Sequence, residues 1–339
     1  MAVRIQCAVQ NYAWGKRGDE SKVAQFGAAA LGKGFTIEDM PYAELWMGTH
    51  CKGPSKLFDS GEALSEWLSK NPRVLGYRLN STVRDGQLPL LFKVLSVNQA
   101  LSVQVHPTKD QAQILHANDP KNYPDSNHKP EMAIALTPFE MMCGFRPISE
   151  IVSHCNALPQ LKQLVGEDAV AELSSSGSKD SLKTAFSNLM KQDPEIVKQA
   201  IDSMVKFINE PGNDYALKPQ LSTVICRLNK DFPGDVGVFA PLLLNHFVLQ
   251  PGEATFLGPN EPHAYLYGDC IECMACSDNT IRAGLTPKFK DVANLCQLLT
   301  YRTGTARENK MSPKGDPEDH AVTWYLPPVA ADFGVRKIE

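Results

Sequence analysis

Apolar residues repeat along this chain at two different periods, and the change from one to the other divides it. From residue 1 to about 145, and again from 236 to about 303, they come in short runs broken by turn residues. Arg4-Ile-Gln-Cys-Ala-Val9 and Leu88-Pro-Leu-Leu-Phe-Lys-Val-Leu95 are such runs, and Gly252, Gly258, Pro259 and Pro262 punctuate the second stretch. Both stretches read as β structure, with short helices at 20–26 and 64–69 and a turn at Arg84-Asp-Gly-Gln87. Between Phe145-Arg-Pro147 and Pro233-Gly234 the period becomes helical. Leu182, Phe186, Leu189 and Met190 recur at that spacing, as do Ile196, Ala200 and Met204 and, offset, Val197, Ile201, Val205 and Ile208. The serine-rich stretch 174–181 is expected to be a flexible link between helices. After Gly304 the chain turns polar, and Val322-Thr-Trp-Tyr-Leu326 and the run from Ala331 to Glu339 read as the opening strands of a further domain.

The expected organisation is therefore one β-sandwich interrupted by an all-helical excursion. Residues 1–145 form its first part, 146–235 a helical insertion, 236–303 the return strands and 304–339 the start of another β domain. No internal repeat is seen.

Against this background some polar residues stand where a strand is usually apolar. Gln104 and His106 are two apart, so on a strand they share a face, about 7 Å apart along the chain, and Leu101, Val103 and Val105 take the other. Glu131 shares its face with the small Ala133 and Ala135, while Met132, Ile134 and Leu136 pack behind. His263 is placed with Tyr265 and Tyr267. Two imidazoles, a carboxylate and a carboxamide on converging faces make a metal site. Taken singly each has a plainer reading: a glutamine amide bonded to backbone, and a solvent-facing or salt-bridged acid and imidazole.

Composition narrows the classes. At 339 residues the chain suits two or three domains, and 43% hydrophobic with 21% charged residues is ordinary for a globular protein. A net charge of -4 argues against a general nucleic-acid binder. The longest apolar stretch, 236–249, holds Asn245 and His246 and is too short to cross a bilayer. No apolar leader opens the chain, and nine irregularly spaced cysteines read as reduced thiols, which points to the cytosol. Cys270-x-x-Cys273-x-x-Cys276 mimics a metal spacing, yet on a strand Cys270 and Cys273 face opposite ways, so these are packing thiols.

The polar strand residues also lie within a wider set of markers. These are Gln10-Asn-Tyr-Ala-Trp-Gly15, the stretch from Pro41 to His50, Leu91-Phe-Lys-Val-Leu-Ser96, Gln104-Val-His-Pro107, Asn127-His-Lys-Pro-Glu-Met-Ala133, Cys143-Gly-Phe-Arg-Pro147, Pro262-His-Ala-Tyr265 and the stretch from Ser277 to Lys288. Together they resemble type I phosphomannose isomerase, the zinc enzymes that interconvert mannose 6-phosphate and fructose 6-phosphate, across nearly the whole chain. The resemblance implies one Zn2+ per chain held by Gln104, His106, Glu131 and His263, with Arg282 in the active site. It also implies a cupin-like β-barrel (a jelly roll) with a helical domain and a second cupin-like domain, of which this chain carries the beginning. A small phosphorylated hexose is the expected partner, a monomer the expected state, and GDP-mannose synthesis the expected pathway.

Aldose–ketose isomerisation moves a proton between C1 and C2 through an enediol, so it needs a base, an electrophile and a grip on phosphate. Glu272 and Lys129 are the base or acid candidates, and His128 lies beside Lys129. Ser102, on the face of Gln104, is with Lys93 and Lys288 a sugar or phosphate contact, and Tyr265 a further substrate contact. Trp14 and Trp46 read as core or pocket wall; His50, His116, His154, His246 and His320 read as ordinary. Two other classes compete: a cupin oxygenase, since two imidazoles and a carboxylate also suit ferrous iron, and a sugar-phosphate-binding protein without turnover.

Overall fold

The computed structural model describes residues 3–76, 83, 85–211, 217–329 and 332–339. Eleven of the described strands form one hydrogen-bonded network. In chain order they are β1 (Ala8–Gln10), β2 (Glu44–Met47), β3 (Leu90–Val97), β4 (Val103–Val105), β5 (Glu131–Ala135) and β6 (Phe139–Phe145). After the helical layer follow β7 (Leu244–Leu249), β8 (Ala254–Leu257), β9 (His263–Ala275), β10 (Ile281–Gly284) and β11 (Lys310–Met311).

The spine is β9, with 13 residues. Its C-terminal half lies between β3 and β5, and its N-terminal half between β6 and β4. It therefore belongs to two sheets, β11-β8-β5-β9-β3-β2-β1 and β7-β6-β9-β4-β10, which close over a shared interior as a jelly roll. Leu95, Val97, Ala133, Ala135, Met141, Phe247 and Cys270 pack inside it.

One irregularity in β9 decides what that interior contains. Between Tyr265 and Tyr267 two steps of β9 stand against a single step of β6, from Met141 to Glu140, so Leu266 is the extra residue of a bulge. Side chains alternate along a strand, and an inserted residue reverses their parity. Odd-numbered His263 and Tyr265 face inward before the bulge, and even-numbered Cys270 and Glu272 after it. Gly268, at φ 115°, follows directly; a Cβ there would sit 2.5 Å from the Pro138 carbonyl oxygen. Simple alternation placed Tyr267 with His263 and Tyr265. The bulge instead turns it outward, 43% exposed, beneath the Lys16 ammonium. Leu101 departs too: it precedes β4, is tied by its N–H to the Tyr265 carbonyl, and packs inward, whereas Val103 and Val105 face the helices.

Six described helices leave β6, namely Ile148–Ala157, Pro159–Val165, Glu167–Ser176, Lys179–Met190, Pro194–Ile208 and Pro219–Asp231. The chain returns to β7 through Val236–Phe239 and Ala240–Leu243. Val197, Ile201 and Met204 are buried on one helix and Leu182, Phe186, Leu189 and Met190 on another, while Ile196 points to solvent. These side chains pack with Val103, Val105, Met142, Ala264 and Ile281 on the outer barrel face. The serine-rich stretch is a tight joint rather than a flexible link. Its first helix runs through Ser176 and ends at Gly177, which is left-handed; Ser178 caps the next helix by accepting the Ser181 N–H.

At the N-terminus the run beginning at Arg4 splits into Ile5–Gln6, paired with Lys56–Leu57, and β1, paired with β2. The first helix is Lys22–Leu31, later than expected because Ser21 takes the capping role through the Ala24 N–H. The next is Leu64–Lys70. Asp85 and Gly86 make a turn with positive φ, although Arg84 lies outside the described residues. Lys314–Gly315, Val322–Tyr325 and Val335–Ile338 form a small antiparallel sheet, and Tyr325 and Phe333 rest on Met132 and Cys273 of the barrel. Ala331 also lies outside the described residues. No described helix is long and apolar enough to cross a membrane.

Candidate metal centre and active-site cleft

Strand pairing brings the polar strand residues together from remote parts of the chain. His263 lies opposite Gln104, and Gln104 opposite Arg282. His106, just beyond β4, joins them with Glu131, the first residue of β5. One ligand-capable atom from each of His106, Glu131 and His263 lies within 4.8 Å of the others. Glu131 Oε2 is 3.3 Å from His106 Nε2 and 3.4 Å from His263 Nε2, and all three side chains are buried.

The second nitrogen of each ring is already engaged. His106 Nδ1 donates to the Asn279 carbonyl at 2.7 Å, and His263 Nδ1 donates to the Glu261 carbonyl at 3.0 Å. With the proton on Nδ1, each neutral ring presents its Nε2 lone pair to the centre. Burial pushes the His106 pKa down to about 4, so the ring stays neutral. Burial would raise Glu131, but the Lys129 ammonium, 2.8 Å from Oε1, and His106 outweigh it and hold the carboxyl well below its ordinary value. His106 Nε2, His263 Nε2 and Glu131 Oε2 have no hydrogen-bond partner. Leaving such atoms buried and unpaired costs about 1–3 kcal/mol each. Three acceptors aimed at one point, with no donor among them, are the donor set of a divalent cation.

Through Glu131 the centre opens into a cleft of about 540 Å³. Gln104, Ser102, Lys93, Lys129, Tyr265, Glu272, Arg282 and Lys288 all line it, as does Trp14. Gln104 Oε1 accepts a hydrogen bond from Ser102 Oγ at 3.0 Å. Lys93 is buried between two carboxylates, Glu272 at 2.8 Å and Glu44 at 3.3 Å. Burial pulls its pKa down, but Glu272 and Glu44 more than reverse this and the ammonium stays charged. Glu272 shares that single cation; burial, opposed by Lys93 and reinforced by Glu131, raises its pKa. Tyr265 Oη is buried and without a hydrogen-bond partner, and burial, then Glu272, push its pKa well up, so it is a neutral phenol free to donate. No carboxylate pairs with Arg282 or Lys288 among the described residues; Arg282 is half-buried and Lys288 lies at the mouth.

His106 and His263 lie behind the cleft wall at the metal centre, and His128 is the one expected substrate contact that does not line the cleft. Its Nε2 is 2.9 Å from Asp332 Oδ1, in the segment before the last strand. Lys93 reaches the cleft but is committed to Glu272 and Glu44, which leaves it a weak phosphate contact. Cys270 and Cys273 pack on opposite faces of β9 as expected, in separate clusters.

Three groups were not read from the sequence. Glu44 also accepts the Trp46 indole N–H, so Trp46 braces the Lys93 cluster from the core. Glu44 sits within the marker from Pro41 to His50, and its spacing to Trp46 could have singled it out. His50, taken as ordinary, lies with its Nε2 3.4 Å from Asp278 Oδ1, and Lys52 Nζ is 2.8 Å from Oδ2; His50 first and then Lys52 hold that cleft-lining carboxyl far below its usual value. Asp125 accepts from Ser277 Oγ at 2.8 Å, the Asp278 N–H at 2.7 Å, the Asn127 N–H at 3.0 Å and Asn279 Nδ2 at 3.3 Å. It thereby anchors the loop whose Asn279 carbonyl orients His106. Nothing in its local sequence marks it.

The chain matches two family models: the catalytic domain of type I phosphomannose isomerase over residues 2–148, and the helical insertion domain of the same family over residues 156–244. Mannose-6-phosphate isomerase of Bos taurus is 47% identical over 347 residues, covering 99% of this chain and 81% of the relative. The Homo sapiens protein is 46% identical with the same coverage. Among solved structures, a variant of phosphomannose isomerase from Salmonella typhimurium superposes with a TM-score of 0.81 at 34% identity, covering 98% of this chain and 82% of that one. A mannose 6-phosphate isomerase solved with zinc and yttrium gives 0.79 at 35% identity, covering 98% and 82%.

Proposed function

The chain belongs to the type I phosphomannose isomerases, and from that premise we propose that it interconverts D-mannose 6-phosphate and D-fructose 6-phosphate through an enediol or enediolate. One observation carries the reading: three buried, partnerless acceptors converge on His106, Glu131 and His263, and their shared Glu131 opens into a cleft whose wall bears Arg282 and Lys288, cations that no described carboxylate pairs. His106, Glu131 and His263 would hold one zinc ion, with Gln104 Oε1 as fourth ligand from its position opposite His263. Zinc, when bound, supplies Lewis-acid stabilisation of negative charge developing on the sugar oxygens.

The rest falls to the chain's own side chains. Glu272 is the base that moves the proton between C1 and C2, and its raised pKa strengthens it for that task. Lys93, held between Glu272 and Glu44, fixes the carboxylate in place. A positioned base contributes about 10²–10⁴ in rate, short of the roughly 10⁶ or more expected of an enzyme. Electrostatic stabilisation must supply the remainder, and Arg282, permanently cationic and half-buried, faces the same cavity. Lys129 and the neutral Tyr265 hydroxyl are donors to sugar oxygens. Lys288 and Ser102 grip the phosphate at the mouth.

The cleft-lining side chains include five cations and four carboxylates, so an anionic substrate is favoured even before a metal is counted. We also propose that residues 1–145 and 236–303, with β11 (Lys310–Met311) added at one edge, build the catalytic barrel around the insertion at 146–235. The protein would act as a cytosolic monomer supplying mannose 6-phosphate for GDP-mannose synthesis and glycosylation.

The test is conversion of mannose 6-phosphate by the purified chain without oxygen. Turnover abolished by chelator, restored by zinc and accompanied by solvent hydrogen entering the sugar is expected. Binding without conversion would reduce the protein to a sugar-phosphate binder, and dependence on oxygen would make it an oxygenase.

A further inference from the structure

The cleft loop after β10 is held in an unfavourable shape from outside the barrel. Leu285 has φ 53°, in the left-handed region that a leucine rarely adopts, and it is buried at 1% exposure. Leu285, Thr286, Pro287 and Lys288 all line the cleft. What holds them is Asp235, at the exit of the helical layer, whose side chain is 12% exposed. Asp235 Oδ1 accepts the Leu285 N–H at 2.6 Å and the Gly237 N–H at 2.7 Å. Its Oδ2 accepts the Thr286 N–H at 3.4 Å and lies 3.3 Å from Lys290 Nζ. Two glycines let the segments touch: a Cβ on Gly237 would sit 2.5 Å from the Leu285 nitrogen, and one on Gly284 2.6 Å from the Gly237 Cα.

We propose that Asp235 is a positioning residue for the phosphate end of the substrate. It does not line the cleft. It clamps the turn 285–288 onto the helical layer and so places Lys288 and Thr286 at the mouth, where Arg282 faces them. The Asp235 carboxylate meets the turn by two backbone N–H groups and by Lys290, so the bend at Leu285 is fixed from three points. Phe232, three residues earlier, lines the same cleft, so one short segment both walls the cleft and sets the loop. This inference deepens the proposed function and rests on its assignment of Lys288 to phosphate.

The experiment compares wild type with Asp235→Ala, Asp235→Asn and Gly237→Ala, all zinc-loaded. Inhibition by inorganic phosphate and the KM for mannose 6-phosphate are measured beside kcat, zinc content and circular dichroism. Asp235→Ala is expected to raise both the phosphate inhibition constant and KM about tenfold, the worth of one good hydrogen-bonded contact. Its kcat should stay within about threefold of wild type and its zinc content should not change, because among the described residues no hydrogen bond or ion pair joins Glu272 or the proposed metal ligands to residues 285–288. Asp235→Asn keeps an acceptor for Leu285 and should fall between. Gly237→Ala, which displaces the loop without removing the carboxylate, should reproduce the phosphate defect.

A folded Asp235→Ala with phosphate inhibition within twofold of wild type overturns the proposal. So does a loss confined to kcat. Should that variant not fold, the same criteria apply to the other two. Phosphate binding by calorimetry reads the clamp without turnover, so a wild type that binds phosphate but does not isomerise mannose 6-phosphate would refute the proposed function and leave this test standing.

Discussion

Replacing Lys93 by Met isolates the electrostatic device at the back of the cleft. The ammonium is the cation bridging Glu272, at 2.8 Å, and Glu44, at 3.3 Å, and all three side chains are at most 10% exposed. Because both carboxylate oxygens touch one nitrogen, they stand no more than about 6 Å apart; at an effective dielectric near 20 their repulsion is about 3 kcal/mol. Methionine fills the space of the stem and removes the charge that offsets this. Breaking a buried ion cluster in this way costs about 3–5 kcal/mol at neutral pH.

The sign with pH follows from linkage. Without Lys93, Glu272, whose pKa burial and Glu131 already raise, gains a proton more readily folded than unfolded, so stability falls as pH rises from the ordinary carboxylate range through its raised folded value and is regained on the way back down. Chemical denaturation of zinc-saturated Lys93→Met and wild type, at pH 5.5 and 8, reads the effect. The variant should lose more stability at the higher pH, whereas its turnover should drop more at pH 5.5 than at pH 8, because without Lys93 the Glu272 carboxylate is held protonated more readily at the lower pH. A destabilisation below about 1 kcal/mol that does not change with pH would refute the reasoning.

His263→Ala should lose zinc and turnover together, measured by metal analysis and sugar conversion; retained zinc would reject it as a ligand. Arg282→Ala should keep near-normal zinc content but lower turnover by roughly tenfold or more, as loss of an electrostatic donor does. Asp125→Ala frees the loop that holds the Asn279 carbonyl against His106, and chelator competition should show metal retention weakened about 10–100-fold. Unaltered chelator resistance would leave Asp125 with a purely structural role.

Much of the fold and of the site could be read from local periodicity because both depend on neighbours a few residues apart. The switch from β runs to helical spacing is set by which side chains share a face, and it places the helical insertion between β6 and β7. Gln104, His106, Glu131 and His263 stood out because each breaks the apolar habit of a strand, and the family markers around them supplied their roles. Cys270 and Cys273 were separable by parity alone, since no irregularity falls between them.

What depended on contacts between distant segments was not legible. The extra residue at Leu266 exists only as a mismatch of register with β6, over a hundred positions away in the chain, and it puts Glu272 and His263 on the same inner face of the barrel while expelling Tyr267. The fate of His128 was decided by Asp332, and that of Lys93 by Glu44 and Glu272, each a charge that only folding brings within reach. Asp125 and Asp235 act by holding remote backbone N–H groups, an interaction any carboxylate can make and no local pattern announces. Periodicity reports which face a residue occupies; hydrogen-bond register and charge pairing across the tertiary fold determine what it meets there.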